Sequence, residues 1–111
     1  MEDKNFTFKF NKNEINFSLR GDGFGTMVNA TEMCKPFNKQ PSDWLRQKSS
    51  KELIDALISV RGIPRTQLVV VIQGNFSDGR SQGTWIHEDL AIHLAQWCNP
   101  LFGVVIELKR F

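Results

Sequence analysis

The sequence predicts an α+β domain, in which small antiparallel β-hairpins pack on short helices. The first observation behind this prediction is that Phe6, Phe8 and Phe10 alternate with polar residues, as in a half-buried strand. The second is a β-branched run in residues 67–74, which is typical of a buried strand. The third is that apolar residues recur at helical spacing between and after these strands.

Composition narrows the class of protein further. The chain has 111 residues, of which 41% are apolar and 23% charged, and these values favour one globular domain rather than a disordered chain. The longest nearly continuous apolar run, Leu68–Ile72, is far shorter than the roughly 20 residues of a membrane helix. The N-terminal segment has no uncharged apolar stretch of the kind that a secretory signal requires. We therefore expect a cytoplasmic protein that does not contact a membrane.

The N-terminal part of the chain predicts a β-hairpin over residues 5–20, because two alternating segments flank a turn. The glycine-rich residues 21–25 predict a bend. They do not resemble a phosphate-binding loop, since no long apolar strand precedes them and no Lys-Ser/Thr pair follows. Asn29 can cap a short helix with Glu32 completing a capping box, and Pro36 limits this helix to about two turns.

The middle of the chain predicts two further helices. Pro41 is favourable at the first position of a helix that continues through Ser42–Lys48. Ser49 and Glu52 repeat the capping-box spacing, so a third helix, or a kinked continuation of the second, is expected as far as Arg61. The apolar stripe predicted for this helix consists of Leu53, Ala56, Leu57 and Val60.

The C-terminal part predicts a second hairpin and at least one long helix. The strand in residues 67–74 and a short return strand in residues 83–86 enclose a polar tip that contains glycine. Residues 88–98 predict an amphipathic helix, and residues 100–111 a last helix or strand.

Histidines, carboxylates and a cysteine are crowded into residues 87–98, which raises the question of a metal or catalytic site. On a helix, Cys98 falls in the apolar arc, whereas Asp89 and His93 fall on the opposite side. The zinc-protease pattern H-E-x-x-H would need a histidine where this chain has Ala91. A zinc site needs three or four ligands that converge at about 2 Å, and these residues do not converge. We predict a capped helix, with no metal, no cofactor and no enzymatic activity.

The two cysteines, Cys34 and Cys98, form no C-x-x-C motif. In a chain without a secretory signal, two such thiols are more often reduced core residues than a disulfide. We therefore expect both to be reduced.

Positive charge is concentrated in two segments of the chain. The net charge is only +2, but residues 34–51 carry +4 and residues 61–82 carry +2, while each of the remaining segments is negative. This asymmetry favours a polyanionic partner, with an ordinary solvated surface as the open alternative.

The same two segments are the parts that a winged helix-turn-helix would present to DNA. In that module a helix enters the major groove, and a following hairpin, the wing, lies against the backbone. Lysines and arginines would contact phosphates, and polar residues at the start of the second helix would read base edges. Trp44 is expected to anchor this helix in the core, and Asp43 to face away from phosphate or cap the helix. The predicted DNA-binding residues are Lys35, Lys39, Gln40, Ser42, Arg46, Lys48, Lys51, Gln73, Asn75, Arg80, Ser81 and Gln82.

Three blocks of the sequence, VNATEMCKPF, DWLRQKSSKELIDAL and QGTWIHEDLAIHLAQWCNPLF, resemble successive blocks of the KilA-N domain. This domain occurs in large DNA viruses, phages and bacteria, and is similar to the fungal APSES DNA-binding domain. The resemblance covers about residues 20–106, preceded by the hairpin 5–20, within one domain spanning residues 1–111. For a bacterial protein it implies association with the nucleoid, and for a viral protein a place in the host cytoplasm.

The resemblance also implies roles for particular segments. Asn29–Thr31 would open the first helix of a winged helix-turn-helix core, Lys39–Lys51 would hold the recognition helix, and Gln73–Gly83 would form the wing. His87 and the Trp97/Pro100 pair match family positions of structural character.

We therefore expect a regulatory module of phage, prophage or viral type that binds double-stranded DNA. Because the basic excess is modest, a homodimer or an additional C-terminal domain is expected to be needed for tight binding. Two alternatives stay open. A protein-interaction module resembling an antirepressor would carry an exposed apolar patch. An enzyme with a site dispersed in the sequence would use His87, Glu88 and His93.

Overall fold

The computed structural model of the protein describes residues 4–10, 12–19, 26–73 and 82–109. These residues form a mixed α+β fold with one antiparallel sheet. Its strands are β1 (Lys4–Phe10), β2 (Asn13–Leu19), β3 (Thr26–Asn29), β4 (Val69–Ile72) and β5 (Gly83–His87). The helices are α1 (Ala30–Cys34), α2 (Pro41–Leu45), α3 (Lys48–Arg61), α4 (Arg65–Leu68), α5 (Glu88–Cys98) and α6 (Pro100–Lys109), with a 3₁₀ turn at Lys35–Phe37.

Strand β3 joins the two predicted hairpins into a single sheet. The strand order is β1-β2-β3-β5-β4, and every neighbouring pair is antiparallel. The pairing of β1 with β2 along their whole length confirms the predicted N-terminal hairpin. In β3, Val28 lies opposite Phe17 of β2 and Ile86 of β5. A short apolar stretch that the sequence shows only as the approach to a helix is thus the central strand.

The sheet buries side chains on both faces, with the period of two that a strand dictates. Val28 and Ile86 belong to the main core, which they share with the helices. Met27, Trp85 and Ile72 form a second buried cluster, and Val70 packs against it. Neighbouring residues along β3 and β5 therefore point into different clusters.

Helix α5 buries the face that its sequence pattern predicts. Leu90, Ala91, Leu94, Ala95 and Cys98 are all buried. The residues that follow also form a helix, α6, whose N-terminus is capped because Asn99 Oδ1 accepts a hydrogen bond of 3.1 Å from the Phe102 amide.

Helix α3 departs from its prediction in two ways. It begins at Lys48 with Gln47 at the N-cap and no side-chain cap, so the capping box predicted at Ser49 and Glu52 is wrong. Its buried residues are Ser50 and Ile54, and from the predicted stripe Ala56 is exposed and Val60 is 83% exposed. Only Leu53 and Leu57 of that stripe pack against the core. The apolar residues of α3 cover a broad arc, and the position of its neighbours selects which part is buried.

The second hairpin is shorter than predicted on one side. Arg65–Leu68 form a helical turn, so only Val69–Ile72 of the expected strand 67–74 are extended. The return strand β5 reaches His87. The polar tip of this hairpin and the glycine-rich bend at 21–25 lie outside the described residues. Within the described part of the chain, no helix is long and apolar enough to cross a membrane.

Candidate nucleic-acid interface

A cavity of about 550 Å³ lies where the α1–α2 region faces the ends of β4 and β5. We call it the groove. It brings together parts of the two basic segments that are far apart in the sequence. Its lining residues are Thr31, Glu32, Lys35, Lys39, Gln40, Pro41, Ile72, Gln73, Gln82 and Gly83.

The buried side chain of Asn29 holds the two walls of the groove together. Its Oδ1 accepts a hydrogen bond of 3.1 Å from the Glu32 amide, which confirms the predicted helix cap. Its Nδ2 donates to the Gln82 carbonyl oxygen at 3.2 Å. A second link is parallel to this one, because Thr31 Oγ1 accepts a hydrogen bond of 3.0 Å from the Thr84 amide. The N-terminus of α1 is thereby tied to the start of β5.

Gly83 is the position where these walls come closest. A Cβ atom there would lie 2.9 Å from Asn29 Oδ1 and 3.1 Å from Thr31 Oγ1. Its φ of +136° is also one that side-chain-bearing residues rarely adopt. These contacts explain why a glycine follows Gln82, and they connect the Asn-Ala-Thr and Gly-Thr-Trp blocks of the sequence in space.

Among the described residues that line the groove, two ammonium groups and one carboxylate give a net positive charge. Lys35 is exposed, and it makes no ion pair with the residues that the structure describes. Lys39 Nζ donates to the Trp97 carbonyl oxygen at 2.8 Å and lies 4.5 Å from the centre of the Trp97 ring. Glu32 accepts a hydrogen bond of 3.3 Å from Asn29 Nδ2. Lys39 is therefore held in place before any ligand arrives, and its remaining N–H groups can still donate.

The structure sorts the predicted DNA-binding residues into three sets. Lys35, Lys39, Gln40, Gln73 and Gln82 line the groove. The second set is exposed on the surface of α2, α3 and the turn between them, and consists of Ser42, Arg46, Lys48 and Lys51. The third set, Asn75, Arg80 and Ser81, lies outside the described residues.

Carboxylates one turn away neutralise part of the second set. Arg46 forms an ion pair with Asp43, and Lys48 Nζ lies 3.8 Å from Glu52 Oε1. Of the two roles expected for Asp43, that of helix cap is wrong, because the N-cap of α2 is Gln40, and the Asp43 carboxylate pairs with Arg46. Trp44 is fully buried, which confirms its predicted role as the anchor of α2.

Half of the lining was not among the predicted DNA-binding residues, and these five residues are Thr31, Glu32, Pro41, Ile72 and Gly83. The Asn-Ala-Thr triplet indicates a helix start and nothing more. The hydrogen bond from Thr84 to Thr31 spans 53 positions, and no local pattern signals a contact of that separation.

In the segment 87–98, the histidine and carboxylate side chains that suggested a metal or catalytic site make contacts that hold the fold together. His87 is buried, and its Nδ1 accepts a hydrogen bond of 3.1 Å from the Asp89 amide, so it caps α5. Glu88 Oε1 accepts a hydrogen bond of 3.3 Å from the Thr26 amide. Asp89 forms an ion pair with Arg61 of α3. These residues hold elements together, and no group of three or more potential metal ligands occurs within the described ranges.

His93 differs from the helical-wheel prediction, which placed it on the polar side of α5. It is half-buried, and its Nδ1 accepts a hydrogen bond of 3.0 Å from the indole Nε1 of Trp44. This bond satisfies a buried N–H group and connects α2 with α5.

Fold and groove together define a class of small α+β domain, in which a helical segment and the base of a β-hairpin share one net-positive groove. The chain belongs to the KilA-N family, whose model, described as the KilA-N domain, matches residues 9–108.

Viral and phage proteins are among the relatives. A KilA-N domain-containing protein of Acanthamoeba polyphaga mimivirus is 33% identical over 76% of this chain and 26% of its own length. An uncharacterised protein of Fowlpox virus is 27% identical over 71% of this chain and 54% of its own. Protein kilA of Escherichia phage P1 is 33% identical over 62% of this chain and 23% of its own. The chain thus spans about half or less of the length of these relatives. No solved structure gives a significant match.

Proposed function

We propose that this chain is a double-stranded DNA-binding module with a regulatory role in a phage, prophage or virus. The helices α1 to α3 and the β4–β5 hairpin would act as a winged helix-turn-helix core. In this proposal the segment 39–51 approaches the major groove of DNA, and the hairpin lies against the backbone.

The observation that carries the proposal is the composition of the groove. Lys35 and Lys39 face Gln73 and Gln82 across it, so cations from one basic segment and amides from the base of the second share one site. Ammonium groups suit phosphate oxygens, and glutamine amides can pair with the edge of adenine. Arg46, Lys48 and Lys51 would add contacts at the edge of the same interface.

Fluorescence anisotropy with random duplex and single-stranded oligonucleotides, at several salt concentrations, tests the proposal. We expect the duplex to bind more tightly. In the double variant Lys35→Gln/Lys39→Gln, the slope of log K against log salt should fall by about 2, because each lost phosphate contact removes close to one counterion.

The matched control is Lys9→Gln/Lys12→Gln. It removes the same charge from exposed positions in and beside β1, at the edge of the sheet opposite β4. We expect this control to keep the wild-type slope. Equal slopes in the wild type and in both double variants, or stronger binding to single strands, would refute the placement of the interface.

We also propose that the module is not an enzyme, because the side chains that suggested a site already hold the fold together. His87 caps α5 and His93 accepts a hydrogen bond from Trp44. Metal analysis of the purified protein, with a nuclease assay on wild type and His87→Ala, tests this. Stoichiometric metal, or nuclease activity that His87→Ala abolishes, would contradict it.

A second candidate function is protein binding through α6, as in an antirepressor. Leu101, Val104 and Leu108 are 64%, 53% and 80% exposed and share one face of the helix, since their spacing is three and four residues. A pull-down after nuclease treatment distinguishes the two functions. Protein captured by the wild type and by Lys35→Gln/Lys39→Gln, but not by Leu101→Ser/Leu108→Ser, would favour protein binding, provided that no duplex affinity is found.

A further inference from the structure

The thiols of Cys34 and Cys98 meet inside the helical half of the protein. Their Sγ atoms are 3.6 Å apart and share a hydrogen bond. Both cysteines are free. Cys34 is the last residue of α1 and is fully buried, whereas Cys98 is the last residue of α5 and is 6% exposed. The sequence predicts two separate core thiols, and the fold makes them a pair.

The two thiols are not equivalent. The hydrogen bond to Cys98, together with burial, raises the pKa of the Cys34 thiol far above its usual value. The same hydrogen bond lowers the pKa of the Cys98 thiol against the opposing effect of burial, and the Lys39 ammonium also lowers it. A thiolate is the attacking species in disulfide exchange, and a reagent reaches Cys98, at 6% exposed, before the fully buried Cys34. Cys98 is therefore the nucleophile, and Cys34 is the partner that resolves the product.

We propose that Cys34 and Cys98 are a site of oxidative modification, which a low-molecular-weight disulfide converts into an intramolecular disulfide. The Cys98 sulfur attacks the small disulfide, forms a mixed disulfide and releases one small thiolate. Cys34 then loses its proton and attacks the Cys98 sulfur, which releases the second small thiolate. Two protein thiols and one small disulfide become one protein disulfide and two small thiols, with two electrons passing to the reagent.

The position of the pair gives the modification a consequence for the groove. Cys34 directly precedes Lys35 in the chain. Lys39 donates a hydrogen bond to the carbonyl oxygen of Trp97, and Trp97 directly precedes Cys98. The disulfide would therefore tie together the two chain segments that position both cations of the groove. This consequence for DNA binding rests on the proposed function, whereas formation of the disulfide does not.

Oxidised glutathione is the probe for the first test, with the wild-type chain under native conditions. Peptide mapping by mass spectrometry should recover Cys34 linked to Cys98 within one chain. The melting temperature should rise by about 10 °C, because the bond closes a long loop in the unfolded chain, and a reducing agent should reverse the rise. Two thiols that stay alkylatable after the protein has been exposed to the reagent, or links only between chains, would overturn the proposal.

Single variants test the assigned order of attack. In Cys34→Ser, a glutathione adduct should accumulate on Cys98, since no second thiol resolves it. In Cys98→Ser, Cys34 should react at least about tenfold more slowly, because its side chain is fully buried. Equal adduct rates would contradict the assignment of Cys98 as the nucleophile, and the wild-type mapping needs neither variant to fold.

Duplex binding by the reduced and the oxidised wild type separates this inference from the proposed function. A disulfide that forms while duplex affinity changes several-fold supports both. A disulfide that forms in a protein with no duplex affinity supports the modification and refutes the DNA-binding proposal. Duplex affinity in a protein that forms no disulfide supports the DNA-binding proposal and refutes the modification.

Discussion

Lys35 and Lys39 differ from Arg46, Lys48 and Lys51 in their surroundings, although the sequence places all of them in one basic segment. The first two, the groove cations, face the base of the β4–β5 hairpin across the cavity. Among the other three, the surface cations, Arg46 and Lys48 lie beside the carboxylates of Asp43 and Glu52.

Because of this difference, a count of the basic residues in a segment overstates the net positive charge that the segment presents to a polyanion. Exposed ion pairs contribute little to stability, but each pair cancels a unit of local charge. Among the described residues that line the groove, Glu32 is the single carboxylate, and neither groove cation forms an ion pair with a residue that the structure describes.

The largest effect is expected for Gly83→Ala, which should disrupt the groove and leave the surface cations in place. The added Cβ would meet Asn29 Oδ1 and Thr31 Oγ1, and the φ of +136° is strained for alanine. We expect a loss of about 3 kcal/mol in the free energy of unfolding, measured by urea denaturation.

Gly62→Ala is the matched control for that variant. Gly62 also has a positive φ, of +67°, but nothing lies within 4 Å of an added Cβ. It should cost only about 1 kcal/mol. Equal losses in the two variants would mean that the contacts of Asn29 and Thr31 do not constrain position 83.

The next effect concerns the anchor of α2, the helix that leads to the surface cations. His93→Ala would leave the buried Nε1 of Trp44 without its acceptor. We expect a loss of about 2 kcal/mol in thermal or urea unfolding. His93→Gln, which keeps an acceptor, should recover part of this loss. Full stability of His93→Ala would show that the indole N–H finds another partner.

The contrast itself is tested by comparing Lys35→Gln/Lys39→Gln with Lys48→Gln/Lys51→Gln in duplex binding. Both variants remove the same charge. We expect the groove variant to lose about tenfold more affinity, which corresponds to about 1.4 kcal/mol. A larger loss in the α3 variant would move the centre of the interface to the surface of that helix.

The smallest effect is expected for Ser50→Ala, on the buried face of the helix that carries Lys48 and Lys51. Ser50 Oγ is buried and has no hydrogen-bond partner among the residues described. Removing it should raise the free energy of unfolding by about 0.5 kcal/mol and leave duplex affinity unchanged. Ser49→Ala, at the exposed neighbouring position, should change neither quantity. A loss of stability in Ser50→Ala would show that this hydroxyl is bonded in solution.

Local patterns in the sequence were sufficient for several elements. The alternation of Phe6, Phe8 and Phe10 predicted the N-terminal hairpin, because a strand exposes its two faces in turn. The apolar arc of α5 and the cap at Asn29 were also predicted, since both depend on residues within one or two helical turns of each other.

Two of the predictions that failed were local, namely the capping box at Ser49 and Glu52 and the start of the strand at residue 67. The others concern which neighbouring element lies against which face of a helix. The wheel of α3 does not show that the main core lies against Ser50 and Ile54, and that of α5 does not show that Trp44 reaches His93. A helical wheel records the directions of side chains but not the positions of other elements.

By itself, the sequence determined the α+β class, the first hairpin, the cap of α1, the buried face of α5 and the concentration of positive charge. Only the tertiary structure decided that β3 unites the hairpins, that Lys35 and Lys39 share a groove with Gln73 and Gln82, and that Cys34 meets Cys98. The physical reason is separation along the chain. Contacts within a few residues follow from backbone geometry, whereas contacts between distant segments depend on how the whole core packs.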